Sequence, residues 1–132
     1  MILKTLAVIG IASISFTACK KEKAKTTSEQ IVGVWHLASS VYNTHYGGTD
    51  HIENDPGGQT DVYEFMANGI LNATVMNSTE SPFYSISADN KLEIIGGETY
   101  DIKKLDGHNL VLYYKSVSGA DEYLEITLTF NR

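Results

Sequence analysis

An all-β fold, an eight-stranded antiparallel up-and-down barrel entered through a short N-terminal helical turn, is predicted by three observations. Runs of alternating apolar and polar residues recur from residue 33 to residue 130. Short Gly-, Asn- or Asp-containing segments separate most of them, as in a hairpin meander. No charged side chain falls on the apolar face of any run, so one interior is shared. Closing the sheet on itself removes both exposed edges, although a two-sheet sandwich of the same strands shows the same alternation.

The chain has 132 residues, ten basic and sixteen acidic side chains, 42% hydrophobic residues, two Pro and one Cys. That length fits a single domain, and the apolar content suffices for a core. One Cys excludes an internal disulfide. A net charge of −6 and a pI near 5.1 argue against a nucleic-acid partner, which needs basic side chains against phosphates.

Residues 1–18 read as an export signal, with Lys4 ahead of the uncharged stretch 6–16 and small residues at Thr17 and Ala18. The stretch is shorter than the roughly 20 apolar residues of a membrane-spanning helix. Phe16-Thr17-Ala18-Cys19 resembles the lipobox of bacterial lipoproteins, with Phe16 where that motif usually has Leu. The resemblance implies a lipidated Cys19, whose acyl chains tether the protein to the membrane. Ordinary secretion with cleavage after Ser15 is the alternative. Residues 19–27 form a tether with four Lys and one Glu, able to lie on anionic headgroups or to remain solvated. Related lipoproteins sent to the cell surface carry an acidic run behind the Cys; the basic run here implies the periplasmic face of the outer membrane. Residues 28–132 hold five basic residues (Lys91, Lys103, Lys104, Lys115, Arg132) against fifteen acidic ones, a balance of −10.

Within that domain Ser28-Glu29-Gln30-Ile31 predicts a capped helical turn, and Gly33-Val34-Trp35-His36-Leu37 the first strand. Strands follow at 61–66 and 70–76 around Ala67-Asn68-Gly69, and at 83–87 and 91–95 around Ala88-Asp89-Asn90. The last three are 99–105, 109–115 and 122–130. Period two places Trp35, Leu37, Tyr63, Phe65, Leu71, Ala73, Val75, Tyr84, Ile86, Leu92 and Ile94 inside. The same rule adds Tyr100, Ile102, Leu110, Leu112, Tyr114, Leu124, Ile126, Leu128 and Phe130.

Ile31-Val32-Gly33-Val34-Trp35-His36-Leu37, Tyr63-Glu64-Phe65 with Asn68-Gly69, Tyr84-Ser85-Ile86 with Asn90-Lys91-Leu92, and Ile102-Lys103-Lys104-Leu105 with Asn109-Leu110-Val111-Leu112 together resemble the bacterial lipocalin-like domain of envelope lipoproteins. The resemblance implies a calycin-type eight-stranded barrel, non-enzymatic, binding a small apolar ligand. It also implies a barrel floor in which Trp35 is covered by an Arg from near the last strand, here Arg132.

The long connection 43–60 is expected to lie over the barrel mouth as a lid carrying Tyr46 and Ile52, or to be a surface loop without a role. Ligand contacts are expected from Tyr46, Leu71, Tyr84 and Tyr100. His45, Asp50, His51, Glu53 and Asp55 crowd the same connection but match neither zinc spacing nor a calcium frame, so no metal or cofactor is assigned. No Ser, His and carboxylate stand in a nucleophile frame, and no catalytic residue is assigned. The eight Tyr read as core and rim packing. A protein partner is the rival: Ser118-Gly119-Ala120-Asp121-Glu122-Tyr123 resembles the inhibitory loop of one lysozyme-inhibitor family, whose second motif is absent.

Overall fold

The computed structural model describes residues 24–58 and 60–132; the signal segment 1–18, Cys19 and the first residues of the tether lie outside them. The chain enters through α1 (Thr27–Ile31). Its cap is Thr26, two residues earlier than expected: the Thr26 hydroxyl accepts the Glu29 N–H, and the Glu29 carboxylate accepts the Thr26 N–H at 2.8 Å. This reciprocal box satisfies two amides that a short helix leaves open. Thr26 and Thr27 therefore belong to the folded domain and not to the tether.

Ten strands follow: β1 (Gly33–Tyr46), β2 (Thr49–Pro56), β3 (Val62–Phe65), β4 (Leu71–Val75), β5 (Ser78–Glu80), β6 (Tyr84–Ile86), β7 (Lys91–Ile94), β8 (Thr99–Leu105), β9 (Asn109–Gly119) and β10 (Glu122–Asn131). All pair antiparallel, in the order β5-β4-β3-β1-β10-β9-β8-β7-β6, with β2 added to β1. The sheet curls until its two ends meet at a single bridge, Ile70 to Phe83, with the Leu71 N–H donating to the Pro82 carbonyl and the Tyr84 N–H to the Gly69 carbonyl. Main-chain pairing thus joins the ends at one level and does not run the length of the seam.

The eight expected strands are present, but the count is ten. The two additions are hairpin arms made by tight two-residue turns. Gly47 and Gly48 both have positive φ, 60° and 71°, so β1 reverses directly into β2. Such a turn matches the strand twist and asks for residues free of a Cβ penalty. The connection 43–60 is consequently a paired ribbon for most of its length and not a loop lid. Met76 and Asn77 form the equivalent turn at φ 51° and 64°, which ends β4 at Val75 and creates β5.

Alternation holds almost throughout. Trp35, Phe65, Leu71, Leu92, Leu110, Leu112 and Phe130 are at most 1% exposed, and Ile31 from α1 joins them. This filled half is the closed end of the fold. Of the expected inner face, Val75 is the exception, 36% exposed beside the Met76 turn. A bulge at Ala38, left unpaired between Leu37↔Phe130 and Ser39↔Thr129, changes which residues of β1 face inward. An extra residue reverses the parity beyond it, so Ser40, Tyr42 and Thr44 continue the inner face that Trp35 and Leu37 began.

Candidate functional site

At the closed end Trp35 is fully buried, and its indole N–H donates to the Ile31 carbonyl at 2.8 Å. The Arg132 guanidinium lies 3.9 Å from the Trp35 ring centroid and donates to the carbonyls of Gln30, Val32 and Gly107 at 3.0–3.1 Å. One side chain thereby ties β10, α1 and the β8–β9 turn together over the indole.

Above this layer three hollows adjoin one another. The first, about 430 Å³, is lined by Leu37, Ser40, Tyr42, Tyr63, Tyr100, Ile126 and Leu128, with Asp55 and Asp61 among its further residues. The second, about 380 Å³, shares Tyr63 and Tyr100 with it and adds Leu71, Ala73, Glu80 and Glu98 near the seam. The third, about 580 Å³, shares Ile126 with the first and Glu98 with the second, and adds Tyr46, Tyr114 and Leu124. Each falls within the roughly 300–1,000 Å³ range of small-molecule sites.

The walls are apolar, with isolated hydroxyls. Ser40 is 6% and Tyr100 8% exposed, yet neither hydroxyl has a hydrogen-bond partner among the described residues. Nor are they sealed in: the one enclosed side-chain polar atom without a partner is the Asn43 amide oxygen, among the described residues. Both hydroxyls therefore remain accessible, on residues that line the first hollow. Burial, followed by the Tyr42, Asp61, Glu98 and Glu80 charges, raises the Tyr63 phenol above its ordinary range. Burial and then the Glu98 carboxylate raise that of Tyr100. Both phenols stay protonated and act as neutral hydrogen-bonding groups.

Of the expected ligand contacts, the fold brings Leu71 and Tyr100 to one hollow and Tyr46 to its neighbour. Tyr46 is half exposed and stacks on His51 at 4.1 Å, so its ring faces the β1–β2 ribbon tip as much as the hollow. Tyr84 lines none of the three hollows: its ring meets Phe65 edge-on and its hydroxyl donates to the Met66 carbonyl at 2.7 Å, which makes it a wall residue. Ile52, expected on the lid, points to solvent at 60% exposure. Tyr63 and Tyr114 belong to the predicted inner face but are not among the expected contacts. Ser40 and Tyr42 were hidden by the bulge, and no feature of the sequence around Ala38 announces it.

Asp61 holds the rim together. Its carboxylate accepts the Gly58 N–H at 3.0 Å and the Met76 N–H at 2.9 Å, which lowers its pKa. At the edge of the third hollow His45 lies between two carboxylates, Nδ1 at 2.6 Å from Asp50 and Nε2 at 3.3 Å from Asp121, and stacks on Tyr123 at 4.7 Å. The clamp links the β1–β2 tip to the β9–β10 turn. The same turn contains the Ser118 to Glu122 segment. The hydrogen bond to Asp50 raises the His45 pKa, opposed by desolvation and reinforced by the Asp121 charge. Since the folded value lies above the unfolded one, the clamp is complete below about pH 6.5 and is lost as pH rises through the folded value. The Asp50 pKa is lowered in turn, so the clamp also weakens as acid protonates that carboxylate. An NMR titration is expected to place the His45 imidazole above the ordinary histidine value and Asp50→Asn to bring it back; an unmoved titration would exclude the clamp.

Among the described residues no three His, Cys, Asp or Glu side chains are arranged to hold a metal ion, and no helix is long and apolar enough to cross a membrane. No protein-family model, no curated protein and no solved structure matches this chain.

Proposed function

We propose that this chain is a bacterial envelope lipoprotein, anchored through Cys19 in the outer membrane and facing the periplasm, whose lipocalin-like barrel binds a small, largely apolar ligand and performs no catalysis. The observation that carries the reading is the apolar-walled hollow of about 430 Å³ above the closed end, with Ser40 and Tyr100 on its wall. The apolar lining around them, Leu37, Ile126 and Leu128, provides the area that drives binding.

Titration with a fatty acid or an environment-sensitive apolar dye is expected to show saturable binding in the micromolar range. Ser40→Phe places a ring in the first hollow from a small residue on its wall, and is expected to abolish that binding while the circular dichroism spectrum and unfolding midpoint remain near those of the parent. Saturable binding that survives in Ser40→Phe would move the site elsewhere. No binding by the parent would leave a protein partner as the better account. Separately, Cys19→Ala is expected to abolish lipid labelling and release the protein from the membrane fraction. Unchanged labelling would refute the anchor.

A further inference from the structure

Charge is sorted across this fold. Among the described residues of the domain the Lys and Arg side chains all have partners on the outer wall or the closed end: Lys91 and Lys103 with Asp101, Lys104 with Asp106, Lys115 with Glu125, and Arg132 over Trp35. None of them lines any of the three hollows. The carboxylates at the hollows differ: Glu80 and Glu98 have no cationic partner among the described residues. Glu98 occupies the turn before β8, shared by the second and third hollows, two residues from the buried Tyr100 hydroxyl.

The groups beside that carboxylate are aromatic. Tyr63, Tyr100 and Tyr114 line the hollows around it, the last two with ring centroids 5.8 Å apart and tilted by 52°. An aromatic face attracts a cation through its quadrupole, and Glu98, an exposed residue at the rim of both hollows, adds an attraction of the same sign. The same surroundings disfavour an anion: Glu98 meets no Lys or Arg there, and the basic His45 at the third hollow is already held between Asp50 and Asp121.

We propose that the ligand is an amphipathic organic cation, its ammonium group held between Glu98 and the Tyr63, Tyr100 and Tyr114 rings and its apolar body lying against Ile126 and Leu128. This rests on the reading of the cup as a ligand site and adds the sign of the ligand's charge.

The test compares three probes of equal chain length, dodecyltrimethylammonium, dodecanol and dodecanoate, by calorimetric titration of the folded domain below their aggregation concentrations. The ammonium is expected to bind tighter than the alcohol by roughly ten-fold, within the combined reach of cation–π and ion-pair attraction, with the carboxylate weakest. Glu98→Gln is expected to erase most of the preference while leaving dodecanol unchanged, and Glu93→Gln, exposed on β7, to leave all three unchanged. Equal affinities for ammonium and alcohol, a preference that survives Glu98→Gln, or an equal loss in Glu93→Gln overturns the charge assignment, with the cup still binding. Failure of all three probes to bind saturably overturns the cup itself.

Discussion

Trp35→Ala is expected to destabilise the fold by about 3–5 kcal/mol, the cost of deleting a fully buried large aromatic. Three losses coincide there. The indole is 0% exposed in the layer that also contains Phe65, Leu110 and Phe130, so its removal leaves a void among stiff strands. The Ile31 carbonyl loses its donor, and with it the bond that seats α1 on the sheet. The Arg132 guanidinium, 3.9 Å from the ring centroid, loses the face on which it rests. Trp35→Phe separates these effects, since it keeps most of the packing but removes the N–H; about 1 kcal/mol of its cost belongs to the hydrogen bond. Urea unfolding of both variants, with an unchanged denaturant slope, provides the measurement. A loss below about 1 kcal/mol for the alanine variant would be typical of an exposed site and would contradict the closed end described above.

The closed end was legible in the sequence because it obeys one rule. Within each short run between Trp35 and Phe130 the inward residues keep a period of two, which survives any uncertainty about strand pairing. The open end was less legible because it depends on turns and a bulge. Tyr46-Gly47-Gly48-Thr49 carries a hairpin signal, two glycines between alternating residues, yet the surrounding Asn, Asp and Gly read as one long loop. Met76-Asn77 carries no such signal, since Met pays a cost at φ 51° that only the finished fold imposes. The Met76 amide bonded to Asp61 shows part of what offsets it. The bulge at Ala38 decided the site: strict alternation through it would send Val41 and Asn43 inward in place of Ser40 and Tyr42. Tyr84 was misplaced for a related reason. It lies on the inner face as expected, but facing inward does not mean facing a void, and its hydroxyl bond to Met66 commits it to the wall.

Gly57→Ala is expected to cost about 1–3 kcal/mol, the range for forcing extra volume into a packed site, and to abolish ligand binding with it. A methyl group at position 57 would overlap the Leu37 carbonyl oxygen and carbon. Both are main-chain atoms of β1, which cannot turn aside as a side chain would. The segment leaving β2 must therefore move off the bulge. That displacement breaks the bond from the Gly57 N–H to the Ala38 carbonyl, 2.9 Å, and disturbs the one from the Leu37 N–H to the Asp61 carbonyl, 3.0 Å. Asp61 also anchors the Met76 turn, so the change spreads to β4 and β5. Pro56, Asp61 and Ser40 line the first hollow together, and shifting the segment against β1 changes its shape directly. Gly107→Ala is the control, because a methyl group there meets nothing within 4 Å, and it is expected to stay within about 0.5 kcal/mol of the parent. Denaturant unfolding and dye titration of the two variants side by side decide the matter: if Gly57→Ala matches Gly107→Ala in both, the segment does not rest on β1, and the bulge is not what shapes the cup.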